Sequence, residues 1–100
     1  MPSLKAKKKF VVIAYDIVKD SRRNKIAGLL EDLGTRINFS VFECMLTPSQ
    51  FVALQKKIAK IADKKTDTVV YYTICVDCFT KIKVFPGHKN TTAMRQTNIV

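Results

Sequence analysis

Phe10-Val11-Val12-Ile13-Ala14-Tyr15-Asp16 is the stretch from which the fold follows. The six residues from Phe10 to Tyr15 are apolar and, Ala14 aside, β-branched or aromatic, which predicts a buried strand over about 9–16. The strand ends on a carboxylate, Asp16. An acid leaving a buried strand stands on a rigid support, where it can hold a metal or serve as a general base. It fits a turn or cap equally well.

Downstream of this strand, Asp20 and Ser21 offer N-caps for a helix. Ile26, Leu29, Leu30 and Leu33 recur at helical spacing as one apolar stripe, and Gly34 supplies a left-handed stop. From Thr35 to Leu46 the pattern is again strand-like, but its alternation breaks near Ser40, which predicts a kink or two short strands meeting there. Thr47-Pro48-Ser49-Gln50 has the form of a capping box with proline at the first helical position. Phe51, Leu54, Ile58 and Ile61 are the buried stripe of the helix that follows. Thr68 to Val76 is a strand with Val70, Tyr72, Ile74 and Val76 on one face and Val69, Tyr71 and Cys75 on the other. A short final strand is expected around Lys81 to Phe85, before Pro86-Gly87.

Strand, helix, a strand kinked or split in two, helix, strand and a short C-terminal strand is the ferredoxin-like βαββαβ plan of the α+β class with one strand added: an antiparallel sheet with both helices on one face. A domain over residues 1–85 is expected, with 86–100 as a tail of some mobility. The other face of such a sheet is rich here in apolar and aromatic residues, so a partner protomer is expected to cover it.

Composition narrows the function. Lysine and arginine number 18 against 8 acids, a formal net charge of +10, and such a field favours phosphate polyanions. The longest apolar run is far short of the roughly 20 residues of a spanning helix, and the basic residues before it lead into no signal-peptide core. A cytoplasmic protein that does not enter a membrane is the expectation.

Three cysteines, Cys44, Cys75 and Cys78, are an odd set that argues against a disulfide framework. With His88 they could complete four zinc ligands, but a second C-x-x-C is lacking, so zinc is disfavoured. A thioredoxin-like pair is disfavoured too, because such cysteines open a helix whereas these close a strand. Core packing is expected for Cys44 and Cys75.

Arg22, Arg23 and Lys25 crowd the start of the first helix, where cations oppose the helix dipole by a few tenths of a kcal/mol. Free N–H groups and arginines pointing the same way suit a phosphate, and with this net charge phosphate contact is preferred over a merely solvated face. Asp16 has no second acid nearby in sequence, since Asp20 reads as a cap. Mg²⁺ usually takes one or two carboxylates plus waters. A catalytic Asp16 therefore predicts a site shared across a dimer axis. Asn38-Phe39-Ser40-Val41-Phe42 lacks the Gly-Phe pattern of RNA-recognition motifs, and phosphate-loop, Rossmann and H-E-x-x-H motifs are absent.

Tyr15-Asp16 at the strand end, and Arg36-Ile37-Asn38-Phe39-Ser40-Val41-Phe42-Glu43 after the first helix, resemble the CRISPR-associated protein two family. The likeness continues through the Thr-Pro-Ser start of the second helix and the Asp67 to Ile74 strand, over roughly residues 9 to 85. It implies a ferredoxin-like homodimer that sits beside integrase subunits in spacer acquisition. It also implies Mg²⁺-dependent endonuclease activity on RNA or DNA. Asp16 matches the family's proposed metal ligand, while Tyr15, Arg23, Arg36, Ser40 and Phe42 match positions tied to substrate or the active region. Lys25 stands where some members have arginine, keeping charge without the bidentate fork. A non-catalytic DNA scaffold bridging integrase subunits, and a small-ligand regulatory module, are the competing readings. Steep salt dependence of nucleic-acid binding distinguishes the last of these.

Overall fold

The computed structural model describes residues 7–85. The elements run β1 (Lys9–Asp16), α1 (Asp20–Glu31), β2 (Gly34–Asn38), β3 (Val41–Leu46), α2 (Pro48–Ile61), β4 (Thr68–Ile74) and α3 (Val76–Phe79). The sheet is antiparallel in the order β2-β3-β1-β4, the ferredoxin-like arrangement. The apolar strand β1 is central because it is flanked by β3 and β4, which matches its near-continuous apolar sequence.

Side chains alternate across the sheet. Val11, Ile13 and Tyr15 of β1 join Phe42, Cys44 and Leu46 of β3 under Ile26, Ala27 and Leu30 of α1 and Leu54 and Ile58 of α2. Each fully buried aliphatic side chain contributes about 1.5–3 kcal/mol. The capping box at Thr47 and Gln50 forms, with Gln50 N donating to Thr47 Oγ1 at 3.2 Å and Thr47 N donating to Gln50 Oε1 at 2.8 Å. The break near Ser40 resolves as two strands: β2 and β3 are joined by a tight turn at Phe39 and Ser40, with a register shift between Arg36 and Asn38.

Several expectations change. Lys19, not Asp20 or Ser21, occupies the α1 N-cap; Asp20 lies in the first turn and pairs with Arg23. Gly34 begins β2 instead of stopping α1 in a left-handed conformation. It is needed for close approach, because a Cβ there would lie 2.2 Å from the Glu43 carbonyl oxygen and 2.6 Å from Cys44 Sγ. β4 ends at Ile74, and Cys75 is exposed instead of packed in the core, whereas Cys44 is buried as expected.

The strand expected around Lys81 to Phe85 does not form in this chain. The segment bonds locally: Phe79 N donates to Cys75 O at 2.8 Å, Lys81 N to Cys78 O at 3.0 Å and Ile82 N to Phe79 O at 3.2 Å. Thr80 Oγ1 donates to Asp77 O at 2.7 Å, and Lys81 pairs with Asp77 at 3.1 Å. With those groups bonded to near neighbours, the chain turns and lays Phe79 on Phe10, ring centroids 4.8 Å apart. The expected tail from 86 onward lies outside the described residues.

Candidate functional site

Antiparallel partners share a face. On the side away from the helices, the register therefore places Met45, Phe10 and Ile74 in one row, and Glu43, Val12 and Tyr72 in the next. Val41, Ala14 and Val70 form a third row, and Asp16 opposite Thr68 closes the sequence at the end of β1. Asp16 is exposed there, at the edge of an open and mostly apolar face.

Two connections fix the backbone that carries it. Tyr15 N donates to Ser40 O at 3.0 Å, and the Tyr15 hydroxyl donates to Phe39 O at 3.0 Å. Ser40 N donates to the Asn38 side-chain oxygen at 3.1 Å, so the β2–β3 turn is tied from both sides beside Asp16. Tyr15 and Phe42 themselves belong to the core, 5% and 0% exposed, with rings stacked at 6.3 Å. Their contribution to a site is to hold the residues around it. Phe42 also supports Arg36, whose guanidinium carbon sits 5.2 Å from the ring centroid, a cation–π distance. Arg36 lies 3.8 Å from Glu31, an exposed pair of small energetic weight. Because Arg36 pairs with Phe42, it is on the covered side of the edge strand, while Asp16 is on the open side.

Arg23 folds back over the turn after Asp16. Its Nε and Nη2 donate to Ile17 O at 3.2 and 3.0 Å, Nη2 donates to Val18 O at 3.2 Å, and Nη1 pairs with Asp20. Its side chain keeps 39% exposure. Lys25 is exposed on α1.

Arg22, expected to meet phosphate, is engaged by Asp67. Its Nε donates to Oδ2 at 2.8 Å and its Nη2 to Oδ1 at 3.3 Å. The Asp67 side chain is fully shielded, 0% exposed, and also accepts from Val18 N at 3.0 Å, Asp63 N at 2.8 Å and Thr66 Oγ1 at 3.1 Å. The Arg22 guanidinium, helped by the Asp63 and Val18 amides and the Thr66 hydroxyl, outweighs desolvation and holds the carboxyl well below the usual range. Sequence reading missed this hub, because its partners lie 45 residues apart and only folding makes them neighbours. The local signal was Asp67 directly before a strand, a common capping position.

Among the described residues no three or more histidine, cysteine or acidic side chains converge as metal ligands. Cys44 is buried, and burial, with a smaller contribution from Glu43, pushes its thiol up to about 11. His88 lies outside the described residues. No helix among the described residues is long and apolar enough to cross a membrane.

Comparison with known proteins agrees with this architecture. The family model described as CRISPR associated protein Cas2 matches residues 9–82. A CRISPR-associated endoribonuclease Cas2 of Synechocystis is 43% identical over 74 residues, spanning 74% of this chain and 80% of that protein. The crystal structure of Cas2 from Streptococcus pyogenes superposes with a TM-score of 0.68 at 30% identity, covering 75% of this chain and 96% of that one. A chain of a partial Cas6-RT-Cas1–Cas2 complex gives a TM-score of 0.66 at 28% identity, covering 79% and 92%. With the matched segment running from the first strand through the turn after α3, this chain belongs to the CRISPR associated protein Cas2 family.

Proposed function

We propose that the chain acts as a homodimeric, Mg²⁺-dependent endonuclease on RNA or DNA, within the CRISPR spacer-acquisition machinery. The observation that carries this reading is the position of Asp16: exposed, at the end of a central strand, on the face of the sheet turned away from α1 and α2. The endoribonuclease named among its relatives supports the reaction class.

One protomer offers too few ligands for a closed metal site. Asp20 is engaged by Arg23 and Asp67 by Arg22. Mg²⁺ needs only one or two carboxylates when waters and substrate oxygens complete its shell. The apolar rows beside Asp16 suit burial by a second copy, and a two-fold axis through that face would bring up the partner subunit's Asp16. The residues fit the cation on that condition. When bound, the cation supplies Lewis-acid stabilisation of the charge that builds on the phosphate.

The remaining roles belong to the chain. The partly exposed Arg23 retains one Nη1–H for a phosphate oxygen beside Asp16, and the Ser40 hydroxyl can donate from the neighbouring turn. Tyr15 and Phe42 are positioning residues that hold the turn and Arg36. Arg36, Lys25 and the lysines of α2 supply sequence-independent backbone attraction. Arg22 contributes through Asp67, by fixing the loop that follows Asp16.

The likeness to a chain in a Cas1–Cas2 complex favours a second reading, in which the basic chain holds DNA and bridges integrase subunits without cleaving. Asp16→Asn separates the two. The expected result is cleavage reduced about a hundredfold or more, as when a stabilising group is removed at the reacting phosphate, with binding measured by filter retention unchanged. Wild-type cleavage that survives both Asp16→Asn and removal of Mg²⁺ by chelation overturns the metal site. Absence of wild-type cleavage with intact binding selects the scaffold.

A further inference from the structure

Cys75 and Cys78 were read from sequence as closing a strand. The structure places them at the start of a helix: Cys75 is the N-cap of α3 and Cys78 sits three residues on, in its first turn. Cys78 N donates to Cys75 Sγ at 3.3 Å. Both cysteines are exposed, unlike Cys44. N-cap and third-position side chains on a helical turn lie on the same side, close enough for their sulfurs to bond without unwinding the turn.

We infer that Cys75 and Cys78 form a reversible dithiol–disulfide site, with Cys75 as the attacking sulfur and Cys78 as the resolving one. The asymmetry follows from the local bonds. The Cys78 amide donates to Cys75 Sγ and favours its thiolate. Cys78 faces that developing charge and is held in its thiol form.

The surroundings indicate the oxidant's class. Lys7, Lys8 and Lys9 line the same groove as Cys75, together with Phe10 and Phe79. Three cations beside an apolar floor suit a small anionic disulfide of the glutathione type. The Cys75 thiolate attacks one sulfur of that disulfide, forming a mixed disulfide and expelling one low-molecular-weight thiolate, which takes a proton from solvent. Cys78 then loses its proton to solvent and attacks Cys75 Sγ, and the second thiolate leaves. Two protein thiols are oxidised and one small disulfide is reduced to two thiols.

The bridge would act on an element with little stability of its own. A four-residue helix is far below the length at which helices persist unaided, and α3 depends on its cap and on Phe79 resting against Phe10. Joining Cys75 to Cys78 covalently fixes that first turn at one end of the open sheet face. This inference does not depend on the nuclease reading.

The test is incubation of the full chain with glutathione disulfide, followed by intact-mass and peptide analysis. The wild type should lose the mass of two hydrogens within the peptide spanning Cys75 and Cys78, without a lasting glutathione adduct, while Cys44 stays reduced. Cys78→Ser should trap a stable adduct on Cys75. Cys75→Ser, which keeps an N-cap oxygen, should react on Cys78 at least about threefold more slowly at neutral pH, the residual advantage once lower nucleophilicity offsets a larger thiolate fraction. A wild type that accumulates adducts without the internal bridge overturns the site. Equal rates for the two variants overturn the assignment of Cys75 as attacker.

Discussion

The two faces of the sheet are built from similar residues and have opposite fates. On one, Val11, Ile13 and Tyr15 meet Phe42 and Cys44 and disappear under α1 and α2, with exposures of 5% or less. On the other, Val12, Ala14, Val41 and Met45 remain partly open, and Val70 and Tyr72 are exposed. Among the described residues, the chain itself covers part of this second face at the Phe10 end, by laying down Phe79. The first face carries the stability of the protomer. The second carries the surface to which Asp16 is adjacent, and its apolar character is what the proposed association of two copies would use.

Mutations on the two faces should therefore separate stability from assembly. Phe42→Ala empties the centre of the covered face and should lower unfolding free energy by about 3–5 kcal/mol in urea titration. A cost below about 1 kcal/mol would show that this face is not the main core. It should also loosen Arg36, which loses the ring beneath it.

The next effect concerns Asp67, which joins the start of β4 to α1 on the covered side. Its carboxyl is held below its unfolded value of about 3.9, so the native state binds its proton less readily than the unfolded chain. The stabilisation is complete above that value and is lost progressively as pH falls below about 4. Thermal melts between neutral and acid pH should show a shallower acid decline for Asp67→Asn than for the wild type, from a lower starting point. Parallel curves would mean that another group governs the acid limb.

The smallest effect on the protomer is expected from Tyr72→Asp on the open face. Its ring is 53% exposed, so the change should alter stability by about 1 kcal/mol or less, within the range of strand-surface substitutions. Its effect on association should be large, shifting the sedimentation coefficient toward a monomer through paired buried charges near the axis. A dimer unaffected by this change would place the interface elsewhere and remove the basis for a shared Asp16 site.

Much of this was legible along the chain because it depends on near neighbours. The apolar run of β1, the stripe of α2 and the Thr47–Gln50 box are local patterns, and each formed as read. Asp16 could be singled out because an acid ending an apolar run is visible in sequence. The misreadings were of another kind. Gly34 was read as a helix stop, but the constraint on it comes from Glu43 and Cys44 on the adjacent strand. Cys75 was read as a strand residue headed for the core. The preference of 76–79 for a capped turn, with Phe79 seated on Phe10, ended the strand one residue before it.

By itself the sequence determined the order of elements from β1 to β4, most of the side chains of these that face inward, the basic charge, and the family to which the segment from β1 onward belongs. These follow from periodicity, caps and short motifs, whose physics acts over a few residues. Only the tertiary structure decided which charged groups remain available. Arg22 and Asp67, 45 residues apart, neutralise one another, and Arg23 is turned onto the Ile17 and Val18 carbonyls. It also decided that Asp16 and Arg36 lie on opposite faces and that two cysteines share a helical turn. The reason is that charge pairing and thiol geometry depend on distances in space, and the chain sets those only when the sheet closes and the helices settle against one side of it.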